Sequence, residues 1–91
     1  MFVIVSYDIP DDRRRLRIAK ALKAFGDRVQ YSVFECNLGK NELELMTKRL
    51  LRMINEAEDS IRIYRACAKC KSEIKILGLG TVSEDPDLII V

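Results

Sequence analysis

Apolar residues crowd the start of the chain. Phe2, Val3, Ile4, Val5 and Tyr7 form a run dense in β-branched and aromatic side chains, stopped by Pro10. Such a run predicts a buried strand. Both of its parities are apolar, Phe2 and Ile4 on one face and Val3, Val5 and Tyr7 on the other, so it belongs in the centre of a sheet covered on both sides. Asp11 or Asp12 can cap the helix that follows, over about Asp12 to Phe25. Its apolar arc holds Ile18, Ala19, Ala21, Leu22 and Phe25, with Arg13, Arg17, Lys20 and Lys23 opposite. Arg15 falls on the apolar side of the first turn, where it can lean over the strand end towards Asp8. Gly26 is the expected stop.

From Arg28 to Leu38 the parity changes. Val29, Tyr31 and Val33 alternate on one face, then Phe34, Cys36 and Leu38 on the other. The switch predicts a bulge or bend near Val33, or a strand covered on both faces. A second helix begins near Asn41, with Glu44 as a capping-box partner. Its stripe is Leu43, Met46, Leu50, Met53, Ile54 and Ala57. Ser60 to Ala66 reads as a third strand with Ile61 and Ile63 inward. Ile74 to Leu79 reads as a short fourth. SEDPD is a polar loop, and Leu88 to Val91 an apolar tail.

The order, β-α-β-β-α-β plus a short terminal strand, is the ferredoxin-like α+β pattern. Residues 1–91 make one domain. Both helices of this pattern cover one face, yet the first strand is apolar on both. A second copy of the chain is the simplest cover, giving a twofold homodimer. The tail within 82–91 is too short to be stable alone and is expected to pair with a sheet edge at the dimer interface.

Charge refines the picture. The net value of +2 is small, but seven basic residues and a single acid lie between Arg13 and Arg28. A basic face on a nearly neutral domain is compatible with a polyanion. No segment is long enough to cross a bilayer, and the start lacks a basic region with a cleavage site, so a cytoplasmic protein is expected. Three cysteines, an odd number, argue against a disulfide framework. Cys67 and Cys70 have metal or redox spacing. With no histidine in the chain and only Cys36 beside them, they read as small apolar filler closing a strand before a loop.

Asp8 is the main chemical candidate. It ends a central strand, and Asp11 and Asp12 already serve as caps. One aspartate is a poor magnesium site, but two Asp8 carboxylates facing across a twofold axis would be adequate. Arg15, Arg17 and Arg28 can hold phosphate bidentately, whereas Arg13 and Arg14 are expected to meet solvent or more distant backbone phosphates. Ser32 can touch a substrate oxygen. Tyr7 and Phe34 are expected in the core. No aromatic ladder is visible, so base stacking is expected to be minor.

Tyr7-Asp8-Ile9, the arginines after them, Gly26, Arg28, Gln30 and Ser32-Val33-Phe34-Glu35 together resemble the CRISPR-associated Cas-two family. The resemblance extends through Asp59-Ser60-Ile61-Arg62-Ile63-Tyr64, the cysteines and the apolar tail. It implies a homodimer of ferredoxin-like subunits and a magnesium-dependent nuclease resting on Asp8. It also implies a place in CRISPR spacer acquisition beside the Cas-one integrase. Members of the family differ: some cut single-stranded RNA, some duplex DNA, some nothing. Two functions follow as expectations. One is an endoribonuclease using Mg2+. The other is a non-catalytic subunit that binds duplex DNA between integrase copies. A toxin-like ribonuclease sharing the fold is a third option.

Overall fold

In the computed structural model, which describes residues 1–66, 68–80 and 82, the opening apolar run becomes strand β1, Phe2–Asp8. It lies inside a four-stranded antiparallel sheet. Helix α1, Asp12–Leu22, is capped by Asp11, whose carboxylate accepts the Arg14 backbone N–H at 2.8 Å. It stops three residues earlier than the pattern predicts, because residues 23–25 tighten into a turn in which Ala24 N–H bonds the Ala21 carbonyl at 3.2 Å and Phe25 N–H the Leu22 carbonyl at 2.9 Å.

The parity switch is a hairpin. Strand β2, Asp27–Gln30, turns at Tyr31 and Ser32 into β3, Val33–Asn37, with a bulge between Arg28 and Gln30. One stretch therefore supplies two strands, and each keeps its own apolar parity. Helix α2, Lys40–Met53, starts at Gly39, whose N–H is bonded by Glu42 at 3.0 Å. The capping carboxylate is thus Glu42 rather than Glu44. The helix ends before Ala57, which is exposed. There Asn55 accepts the Ala57 N–H, and the Asp59 carboxylate accepts the Asn55 N–H at 2.9 Å. This side-chain turn offers the backbone an alternative to another helical turn. Strand β4, Ser60–Ala66, follows, then a short helix α3, Ala68–Ser72. The sheet order β2-β3-β1-β4 completes the ferredoxin-like arrangement.

Val3, Val5 and Tyr7 meet Ile18, Leu22, Phe34, Met46 and Leu50 in the core beneath the helices. The opposite face of the sheet is covered in part by the chain itself. The chain uses its own residues at one end. Lys71 of α3 sits 5.1 Å over the Phe2 ring. Ile74 to Leu79, expected as a fourth strand, is irregular, and residues 74–80 flank a cleft of about 330 Å³ with Ile4 and Val33. Gly78 and Gly80 there have φ of 94° and 132°, which L side chains rarely adopt and a strand does not use. The tail expected to pair with a sheet edge lies outside the described residues.

Arg14 binds the α1 terminus to the turn before β4. Its guanidinium donates to Asp59 at 2.5 and 3.0 Å and to Glu58 at 3.0 Å. The Asp59 side chain has no solvent exposure. The hydrogen bond from Arg14 holds the Asp59 carboxyl below its ordinary value, against the opposing effect of burial. A lowered folded-state pKa stabilises above the unfolded value, about 3.9, and that stabilisation is lost as pH falls through the folded value. Asp59→Asn is therefore expected to melt lower than the parent at neutral pH, with a smaller further loss below about pH 4. Thermal melts from pH 7 to 2.5 check this. Parallel curves for the two proteins would refute it.

Candidate functional site

Asp8 stands where β1 leaves the sheet, exposed, with no hydrogen-bond or ion-pair partner for its side chain among the described residues. Capping falls to Asp11, so the Asp8 carboxylate is spare. The pairing register shows which groups share its face. Ser60 lies directly across from Asp8, Arg62 from Ser6 and Tyr64 from Ile4. Directly opposed residues in an antiparallel pair project to the same side. Ser6, Asp8, Ser60, Arg62 and Tyr64 line a shallow cavity of about 260 Å³ on the face away from the helices. The Arg62 guanidinium reaches the Tyr64 hydroxyl at 3.4 Å, which raises its pKa.

Sequence reasoning missed Ser60, Arg62 and Tyr64 as neighbours of Asp8. Their parity, opposite to Ile61 and Ile63, was visible. The register that sets Ser60 across from Asp8 was not.

The predicted arginines do not converge on Asp8. Arg15 leans over the strand end as expected, but it donates to the Ile9 carbonyl at 2.9 Å and to Asp12 at 2.5 Å. Arg14, expected to meet solvent or phosphate, is engaged by Asp59 and Glu58. Two carboxylates within bonding distance outcompete water for a guanidinium. Arg13 and Arg17 are exposed on the outer side of α1, without a side-chain partner among the described residues. Arg28 curls onto its own hairpin, donating to the Tyr31 carbonyl at 3.0 and 2.5 Å. The Ser32 carbonyl accepts the Tyr7 N–H at 3.1 Å, which ties the hairpin tip to the end of β1. Tyr7 is buried, its hydroxyl donating to the Tyr31 carbonyl at 3.4 Å, and Phe34 is wholly buried. Both have the core positions expected of them.

Among the described residues no group of three or more Asp, Glu, Cys or His gathers as a metal cage. The donors beside Asp8 are the Ser6 and Ser60 hydroxyls. One carboxylate with neutral oxygens suits magnesium only if water and substrate oxygens complete the shell. Within one chain the site therefore offers the smallest protein donor set that magnesium uses.

The cysteine pattern also departs from expectation. It meets a helix, since Cys70 lies in α3 and is exposed, so it is not core filler; Cys67 lies outside the described residues. Cys36 is buried, and burial, then Asp27 and Glu35, push its thiol up to about 11. It stays a protonated, inert thiol at neutral pH. No helix among the described residues is long and apolar enough to cross a membrane.

The family model for CRISPR associated protein Cas2 matches residues 1–74. A CRISPR-associated endoribonuclease Cas2 of Chloroflexus aurantiacus is 45% identical over 93 aligned residues, covering 100% of both chains. The crystal structure of a hypothetical protein from Thermus thermophilus is similar at a TM-score of 0.81 and 41% identity, covering 91% of this chain and 96% of that one. A chain of a partial Cas6-RT-Cas1–Cas2 complex is similar at 0.66 and 25%, covering 84% and 89%. With the model spanning most of the sequence and these likenesses beside it, this chain belongs to the CRISPR-associated Cas2 family.

Proposed function

We propose that this chain is a magnesium-dependent endoribonuclease for single-stranded RNA. In this reading it works as a twofold homodimer and serves spacer acquisition with a Cas1 integrase. The observation that carries the catalytic part is the spare Asp8 carboxylate, set on an open sheet face beside two hydroxyls and the Arg62 guanidinium. The endoribonuclease name of the Chloroflexus relative favours the same chemistry.

A bound magnesium ion would polarise a phosphoryl oxygen and acidify its water. The chain's own groups do the rest. Asp8 from each of two copies would hold the ion. Ser6 and Ser60 would orient water or a phosphate oxygen. Arg62 would offset charge that accumulates on the phosphate. The sequence contains no histidine, so an imidazole base is absent. The test is cleavage of labelled single-stranded RNA, single-stranded DNA and duplex DNA, with magnesium or with chelator. RNA cut only with magnesium is the expected result. Equal cutting in chelator would refute metal dependence.

A second reading, a DNA-binding scaffold between integrase copies, is favoured by the unpartnered Arg13 and Arg17 and by the likeness to a chain in a complex named with Cas1. Arg13→Glu with Arg17→Glu is expected to weaken duplex binding whatever the sequence, and to flatten the salt dependence by about 0.9 in log–log slope per lost contact. Arg14 is best left intact, because its ion pairs belong to the fold. Unchanged binding and slope, followed by fluorescence anisotropy from 50 to 200 mM salt, would refute the scaffold reading.

A further inference from the structure

The tip of the β2–β3 hairpin carries a feature that neither reading uses. Tyr31 is 75% exposed, although its sequence pattern predicted an in-sheet position. An aromatic ring this open contributes little to the core. It is nevertheless held in place. The Arg28 guanidinium lies 5.3 Å from the ring centroid, while its N–H groups grip the Tyr31 carbonyl. That carbonyl also accepts the Tyr7 hydroxyl, and the next carbonyl accepts the Tyr7 N–H. The turn is therefore fastened at several points to the residue preceding Asp8.

Arg28 spends part of its N–H inventory on the Tyr31 carbonyl, and Arg15 part of its own on the Ile9 carbonyl and Asp12, so each keeps further donors. The tip thus combines a rigid aromatic surface with residual cationic donors, next to the strand end that holds the spare carboxylate. An aromatic ring flanked by guanidinium matches an unpaired nucleobase with its phosphate. Bases stacked inside a duplex have no free face to offer it.

We infer that Tyr31 is a stacking platform for an unpaired nucleobase, which selects single strands over duplexes next to Asp8. This deepens the nuclease reading and rests on it only for the identity of the cut strand, because base stacking is measurable without cleavage. Expected losses follow from ~1–3 kcal/mol per stacked base, equivalent to about five- to 150-fold in affinity.

The test is fluorescence anisotropy in an Asp8→Asn background, so that no probe is cut. The probes are a labelled single-stranded RNA, the same strand with abasic sites, and the matching duplex. Tyr31→Ala is expected to weaken the single strand by that factor and to leave the duplex within about twofold. Tyr31→Phe and Tyr31→Trp should keep the affinity. In the chain with Tyr31 intact, abasic sites should cost the same factor, and in Tyr31→Ala they should cost nothing more. This arm with Tyr31 intact does not depend on how a variant folds. If abasic and intact strands bind it alike, or if Tyr31→Phe loses as much as Tyr31→Ala, the platform is refuted. A parallel cleavage assay on the chain with Asp8 separates the two proposals. Base-dependent binding without cutting would end the nuclease reading alone. Cutting without base-dependent binding would end only this one.

Discussion

Asp8→Asn is expected to lower RNA cleavage at saturating magnesium by about 10³-fold while leaving fold and association intact. The substitution keeps the shape of the side chain and removes its charge. An amide is a weak magnesium ligand, and the Lewis-acid contribution at stake is several kcal/mol, of which ~4 kcal/mol corresponds to about 10³ in rate. Stability should change by no more than about 0.5 kcal/mol, because the carboxylate is exposed and unpartnered among the described residues. In the proposed dimer, removing one of two facing like charges from each copy would relieve repulsion. Mixing the parent with Asp8→Asn makes the shared site testable. If one ion needs a carboxylate from each copy, activity falls as the square of the parent fraction after subunit exchange. A linear decline would show that each chain works alone and would refute the paired site. Parent-level cutting by the pure variant would assign the activity elsewhere.

What the sequence made visible was local. The double-sided apolar run marks β1 as central, Asp11 is a cap within a few residues of what it caps, and the stripe Leu43, Met46 and Leu50 needs only helical spacing. What stayed hidden depends on pairings across the chain. Arg14 looks like any basic helix residue until Asp59, 45 positions away, is brought against it. Arg62 gains meaning only from the register that sets it across from Ser6 on the Asp8 face. The hairpin at Tyr31 and Ser32 announces itself as a change of parity, but its residues carry no glycine or asparagine to signal a turn. Ile74 to Leu79 has the apolar content of a strand, and its apolar pattern does not say that it flanks the sheet face instead of extending it.

Gly26→Ala is expected to cost about 2–3 kcal/mol, a fall of about 10–20 °C in Tm for a domain of this size. Gly26 does not use the left-handed backbone that usually explains a glycine after a helix, since positive φ occurs only at Gly78 and Gly80 among the described residues. Its role is space. A Cβ there would press on the Glu35 carbonyl and lie 2.5 Å from Cys36 Sγ and 2.8 Å from Cys36 Cα. Two of these three atoms are backbone of β3, which β1 holds in register from Phe2 to Ser6. The backbone therefore has little room to give. Alanine's smaller unfolded-state entropy returns about 0.4–1 kcal/mol, too little to offset overpacking of this kind. Thermal melts of the parent, Gly26→Ala, Cys36→Ala and the double variant separate the contacts. Removing the sulfur relieves one atom of three, so the double variant should stay well below Cys36→Ala alone. Full rescue would mean that only the soft side chain was in the way, and a parent-like melt for Gly26→Ala would mean that β3 yields.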